Sequence, residues 1–309
     1  MSAAAMAGAF SSADPLRETA PAKINLALHV TGRRTDGYHL IDTLVVHGVA
    51  ADEVRALPLA AEPGDGEREG PPIALTLTGR FAAGLDAGPD NLVLRAAHLL
   101  EREARGTGRP LAPVALTLDK RLPIASGIGG GSSDAAATLR LLNRLWRLDL
   151  SPARLAEIAL PLGADLPMCV HGVPLRARGI GETIDLLPAI PSLPMVLVNP
   201  GVAVATPAVF RALERRDNPG LPTLPDRFRD GGDLVARLAA TRNDLEAPAV
   251  LLAPVIGEVL ARLRAAAGCR LARMSGSGAT CFAVFDTAED AGVAAAAMPA
   301  EWWAVAGVS

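Results

Sequence analysis

The chain has 309 residues, half of them hydrophobic and a fifth charged, a balance that supports about two globular domains and excludes both a disordered chain and a small disulfide-framed scaffold. Its 30 Lys+Arg against 33 Asp+Glu leave a net charge of −3, without the basic excess of a nucleic-acid binder. Cys169, Cys269 and Cys281, an odd set with no C-x-x-C pair, read as reduced structural thiols.

The N-terminal MSAAAMAGAFSSADPLRET has no cation before Arg17 and no Leu-rich segment, so it reads as a loose tail and not as a signal peptide. Residues 21–28, PAKINLAL, form a mostly apolar strand-like run around Lys23. Of the 30 cations only Lys23 and Lys120 are lysine, leaving 28 arginines. A lysine retained in so arginine-rich a chain offers what a guanidinium does not, a compact point charge and a tunable proton. The plain alternative is a strand-end lysine snorkelling to water. Tyr38, the one tyrosine, follows Asp36-Gly37 in a turn and precedes His39. A stacking face beside a hydrogen-bonding edge suits a nucleobase; taken alone, the same residues serve as an ordinary hairpin. His29, His47, His98 and His171 form no metal spacing.

Residues 62–72, EPGDGEREGPP, read as a solvated loop. Residues 73–77 and 114–118 alternate apolar and polar as strands do, whereas 91–105 and 134–148 are helical, an α+β pattern. Lys120, beside Arg121 in a polar turn, reads as a surface residue. The segment LPIASGIGGGSSD, residues 122–134, then feeds a helix. Its glycines let backbone approach a ligand, and the first-turn N–H groups, which lack intrahelical partners, suit a phosphate. Ser132 or Ser133 would cap the helix and could face a phosphate oxygen or Mg²⁺. The spacing fits neither the dinucleotide fingerprint nor the P-loop, and alone the segment reads equally as a glycine-rich turn with a serine cap.

Asp165 sits among small and apolar residues in GADLP, where a carboxylate needs a partner and, beside a lysine, would handle protons. The long uncharged stretch 186–210 carries too many prolines to span a membrane, and the chain reads as cytoplasmic. The proline-punctuated region 173–200 suggests a domain boundary near residue 173, giving domains 1–172 and 173–309. Residues 217–233 form a second polar insertion. MSGSGAT, residues 274–280, leads into the buried-strand run 281–285; it reads as a hairpin turn or as a second loop closing over a triphosphate.

Taken in order, PAKINL, RRTDGYH, PIASGIGGGSSDAA, GADLP and MSGSGATCF resemble the GHMP kinase superfamily over residues 21–285. The resemblance implies a two-domain α+β fold, an N-terminal domain like ribosomal protein S5 domain 2 and a C-terminal GHMP kinase domain, with the active site in the cleft between them. It implies ATP and Mg²⁺ as cofactors, a small-molecule alcohol carried on a cytidine nucleotide as substrate, and neither nucleic acid nor membrane as partner. The family's catalytic lysine and aspartate fall on Lys23 and Asp165. Its ATP loop falls on Pro123, Ile124, Ala125, Ser126, Gly127, Ile128, Gly129, Gly130, Gly131, Ser132 and Ser133. Substrate recognition falls on Asn25, Tyr38 and His39, with Thr206 preceding Pro207 and Phe210 as the aromatic opposite the tyrosine. Ala125-Ser126 stand where two glycines are frequent, and Asp134 adds a carboxylate beside the triphosphate that leaves the Mg²⁺ ligand open. A homoserine- or mevalonate-type GHMP kinase would share the loops, and an inactive relative would bind nucleotide alone.

Overall fold

The computed structural model describes residues 14–60, 72–106, 111–187 and 190–309, so the start of the expected tail and nearly all of the 62–72 loop lie outside the described residues. The strands are β1 (Leu16–Arg33), β2 (His39–Pro58), β3 (Ile73–Thr78), β4 (Val114–Asp119), β5 (Leu175–Gly179), β6 (Thr183–Leu186), β7 (Pro194–Asn199), β8 (Cys269–Met274), β9 (Cys281–Phe285) and β10 (Trp303–Val308). The helices are α1 (Leu92–Arg105), α2 (Gly130–Leu145), α3 (Pro152–Ala159), α4 (Leu166–His171), α5 (Thr206–Arg211), α6 (Gly231–Leu238), α7 (Glu246–Leu252), α8 (Val255–Ala265) and α9 (Ala288–Ala296).

Where the sequence suggests one cut near residue 173, the compact units are discontinuous in the chain. The first holds the described residues up to Ala20, Asp52–Arg121 and Gly131–His171; the second holds Pro21–Ala51, Leu122–Gly130 and Gly172–Ser309. Strands β1 and β2 and the glycine loop each cross from one membership to the other, which a single composition shift along the sequence does not reveal.

In the first unit β3 pairs parallel with β4, Ile73 opposite Val114, and the end of β2 pairs antiparallel with β4, Glu53 opposite Asp119. The parallel pair needs a crossover, and α1 supplies it. Asn91 starts that helix by accepting a hydrogen bond from the Val93 N–H at 3.0 Å, and Val93, Ala96, Ala97, Leu100 and Ala104 bury one face. Val114, Leu116 and Leu118 of β4 point inward onto the same core, which α2, α3 and α4 complete. Each such leucine contributes about 1.5–3 kcal/mol by leaving water.

The second unit contains β1 beyond Ala20 and β2 up to Ala51, with β5 antiparallel to β2 and β6 antiparallel to β5. A four-stranded antiparallel sheet runs β10-β7-β9-β8. β9 is buried along its whole length, matching its uninterrupted apolar run. β1 serves two cores: Ala22, Ile24 and Leu26 pack with β7 and β9 residues in one, and Leu28 and Val30 join the core of α5, α7, α8 and α9 in the other. Stretch 186–210 resolves into parts of β6, β7 and α5, and among the described residues no helix is long and apolar enough to cross a membrane.

Candidate active site

Residues 122–130 loop between two buried anchors, Leu122 and Ile128. Ala125, Gly127 and Gly129 all adopt positive φ (51°, 74° and 64°), the region that favours glycine and costs an alanine about 1–2 kcal/mol. Ser126 closes the turn internally, its hydroxyl donating to the Pro123 carbonyl at 2.7 Å. None of the hydrogen bonds among the described residues is donated by the backbone N–H of Gly127, Ile128 or Gly129. Those donors therefore stand ready for an anion. Helix α2 begins at Gly130, so Ser132 and Ser133 are not its cap but part of its first turn. Ser133 is buried and its hydroxyl donates to Cys169 Sγ at 3.4 Å, leaving the half-buried Ser132 as the hydroxyl that can meet a ligand.

The second glycine segment is the hairpin turn joining β8 and β9, and it packs directly on the first. The Thr280 N–H donates to the Ser126 carbonyl at 3.0 Å, and the Ser275 hydroxyl donates to the Gly127 carbonyl at 3.2 Å. Asn25 joins them: its N–H donates to Ser275 Oγ at 3.1 Å and its Nδ2 to Thr43 Oγ1 at 2.8 Å, while its Oδ1 is buried without a partner. The Lys23 N–H donates to the Ile128 carbonyl at 2.9 Å. A side chain on Gly129 would come within 3.1 Å of Lys23 Cε, so the loop lies against the lysine. Lys23 is 4% exposed, which rules out snorkelling to water. Both loops, Lys23 and Asn25 thus belong to one compact unit.

The tightest contact is at Gly127, where an added Cβ would fall 2.6 Å from the Gly278 carbonyl oxygen and 2.7 Å from that of Ser275. Gly127→Ala is expected to destabilise the protein by at least 1–2 kcal/mol, roughly the positive-φ cost alone, because backbone on both loops must also shift. Thermal denaturation beside wild type checks it; an unchanged midpoint refutes the loop-on-loop packing.

The turn at Arg34–Tyr38 closes with the Arg34 N–H donating to the Tyr38 carbonyl at 2.7 Å. Phe210, placed by α5, stacks on His39 with ring centroids 4.6 Å apart, so the aromatic expected opposite Tyr38 lies against its neighbour instead. Successive residues entering a strand face opposite sides, and β2 starts at His39; Tyr38 is 60% exposed. Burial, then the guanidinium charges of Arg33 and Arg216, hold the His39 ring below the ordinary imidazole pKa. It is therefore neutral at pH 7, with one donor and one acceptor nitrogen, and its buried Nε2 has no protein partner. Thr206, at the start of α5, shares a 2.7 Å hydrogen bond with Ser277 of the second glycine turn.

Asp165 stands in the first unit, half-buried at the start of α4, where its carbonyl accepts from the Cys169 N–H at 3.2 Å. Lys23 stands in the second.

The reading of Lys120 as a surface residue is overturned. Lys120 is 2% exposed, and its ammonium donates to Asp52 at 2.5 Å and to Asp134 at 2.6 Å. Asp134 is thus committed to a buried ion cluster and does not face a ligand at the helix start. The missed signal is period two: Val114, Leu116 and Leu118 are buried, and Lys120 is next on that face. Burial opposes the Lys120 charge, but the two carboxylates outweigh it and its pKa is raised. Burial, with the like charge of Asp52 and a hydrogen bond to it, brings Asp134 up to about 8 against the lowering pull of Lys120. Among the described residues no group of His, Cys, Asp or Glu could hold a metal ion.

Comparison with known proteins finds two family models: GHMP kinases N terminal domain over residues 91–173 and GHMP kinases C terminal over residues 226–304. A 4-diphosphocytidyl-2-C-methyl-D-erythritol kinase of Paracoccus denitrificans (strain Pd 1222) is 52% identical over 294 residues, 94% of this chain and 95% of that protein. A crystal structure of a 4-(cytidine 5'-diphospho)-2C-methyl-D-erythritol kinase superposes with a TM-score of 0.72 at 34% identity, covering 94% of this chain and 98% of the other. A homoserine kinase from Cytophaga hutchinsonii superposes at 0.64 with 18% identity, covering 97% and 95%, a likeness of fold alone.

Proposed function

The chain belongs to the 4-diphosphocytidyl-2-C-methyl-D-erythritol kinases of the GHMP kinase family, ATP-dependent phosphotransferases with an alcohol acceptor, and we propose that Asp165 and Lys23 carry the transfer. The γ-phosphoryl group of ATP passes in line to the 2-hydroxyl of 4-diphosphocytidyl-2-C-methyl-D-erythritol. The new P–O bond forms as the bond to the ADP oxygen breaks. Asp165 accepts the hydroxyl proton, which makes the attacking oxygen a competent nucleophile. Lys23, a point charge in a dry strand, stabilises the negative charge that develops at that oxygen. The product is the 2-phosphate, a step of the non-mevalonate route to isoprenoid precursors, and we place the reaction in the cytoplasm, where ATP is made available.

The observation that carries this reading is the set of undonated N–H groups at Gly127, Ile128 and Gly129, packed against Lys23 and continuing into the first turn of α2. Backbone donors on residues 124–131, with Ser132, hold the triphosphate without competing for it; the Ser133 hydroxyl, bonded to Cys169, has the lesser part. Mg²⁺ bound with the triphosphate supplies charge neutralisation, and Ser132 is the protein hydroxyl suited to meet it, since Asp134 is turned to Lys120. A neutral His39 reads the cytosine edge, with Tyr38 and Phe210 offering faces to the ring and Asn25 and Thr206 polar contacts to the rest of the substrate.

The test is transfer from Mg·ATP to the cytidine substrate, followed by mass spectrometry, with mevalonate and homoserine as competing acceptors. A gain of one phosphoryl group on the cytidine substrate alone is expected; transfer to either simple alcohol instead refutes the assignment. Phe210→Ala in the same assay is expected to raise KM for the cytidine substrate about tenfold, the scale of a lost base-stacking contact, and to leave KM for ATP unchanged. Equal effects on both would remove Phe210 from the recognition of the base.

A further inference from the structure

The buried cluster of Asp52, Lys120 and Asp134 lies in the first unit and takes no part in the chemistry proposed above. Its construction is nevertheless specific. The Lys120 backbone is fixed on both sides, its N–H donating to the Thr78 carbonyl at 2.7 Å and its carbonyl accepting from the Phe81 N–H at 3.0 Å. Gly79, at φ +94°, lets that backbone approach so closely that a Cβ would sit 2.6 Å from the Lys120 carbonyl oxygen. From this held point the ammonium reaches two ways, to Asp52 on β2 and to Asp134 in the opening turns of α2. The other Asp52 oxygen accepts from the Arg121 N–H at 2.6 Å. Asp134 Oδ1 is buried with no partner, so the carboxyl is held by Lys120 through one oxygen.

Asp134 follows Ser132 and Ser133 directly. We propose that Lys120 is a positioning residue for nucleotide binding: by holding Asp134 it fixes the first turn of α2, and with it the N–H groups and the Ser132 hydroxyl at the end of the glycine loop. The assignment rests on the reading of that loop as the ATP site. A buried ion cluster stabilises less than packed apolar side chains of the same volume would, so stability alone gives no reason for its presence; fixing one geometry does.

The charged groups facing Asp134 are Lys120 at the end of β4 and Asp52 on β2. Nearby Arg121 is paired with Asp119 at the surface, and Glu53 is engaged by Arg55 and Arg17.

The experiment measures KM for ATP and for the cytidine substrate in wild type, Lys120→Met, Lys120→Arg and Asp134→Ala, with Gly129→Ala as the control for the loop itself. Lys120→Met is expected to raise KM for ATP by about 10- to 100-fold, the scale of a misplaced contact, and to leave KM for the cytidine substrate within about twofold. Lys120→Arg is expected to fall between, its larger head disturbing the same turn. Asp134→Ala, which offers Lys120 no acceptor, is expected to raise KM for ATP in the same direction, and it keeps the test open if Lys120→Met does not fold. Variants that melt earlier but keep the wild-type KM for ATP overturn the proposal and leave the loop assignment standing. An unchanged KM for ATP in folded Gly129→Ala overturns the loop assignment, and the proposal with it.

Discussion

Asp165→Asn is expected to lower kcat by about a thousandfold, within the range that general-base catalysis supplies, while the affinity for ATP stays within about twofold of wild type. The amide matches the carboxylate in shape and cannot take the proton of the attacking hydroxyl. Calorimetric titration of ATP beside product formation followed by mass spectrometry separates the two quantities. A kcat within a few fold of wild type would exclude Asp165 as the base, and weakened ATP binding would make it a nucleotide-binding residue. Lys23→Met should lower kcat in the same direction. Because both act on one proton and one developing charge, the double variant should lose less than the two single losses combined.

The largest expected effect on stability lies in the other cluster. Lys120→Met leaves two buried carboxyl groups facing each other without their cation, and breaking such a pair typically costs about 3–5 kcal/mol. The pH dependence of stability carries a sign that tests the same group. Asp134 has its pKa raised from 3.8 to about 8 on folding, so the folded state binds a proton there that the unfolded state releases. Its contribution is whole below pH 3.8 and is lost as pH rises through about 8. Wild type should therefore lose stability across that window by more than Asp134→Asn does, read as the shift of the thermal midpoint with pH. Parallel profiles for the two proteins would mean that Asp134 ionises normally in the folded state.

Much of this was legible before the fold. The alternation of residues 73–77 and 114–118, the helical pattern of 91–105 and the apolar run 281–285 are local signals, and β3, β4, α1 and β9 follow them. Lys23 was legible because the chain keeps so few lysines. Lys120 carries the same rarity, yet its neighbour Arg121 is half-exposed in the same turn, and the partner Asp52 is 68 positions away. Only the inward alternation of β4 pointed to burial. The pairing of Phe210 with His39 rather than Tyr38 depends on where β2 begins, a boundary that propensity places no better than two residues either way. The discontinuous units were out of reach for a different reason. Strands β1 and β2 serve two cores, and membership of a core is decided by pairing partners far along the chain, not by composition.

That interleaving sets the order in which the protein can form during synthesis. Leu26 leaves the ribosome early, but the core it enters also contains Phe282. At about 5–20 residues per second the intervening chain takes roughly 13–50 s to emerge. Throughout that interval the apolar stretch around Lys23 lacks part of its native cover. A nascent chain stalled or truncated near residue 173 would hold the whole first unit together with an orphaned hydrophobic ribbon from the second. Such a fragment is a natural client for chaperones, and the pair of glycine loops can meet only after β9 has been made.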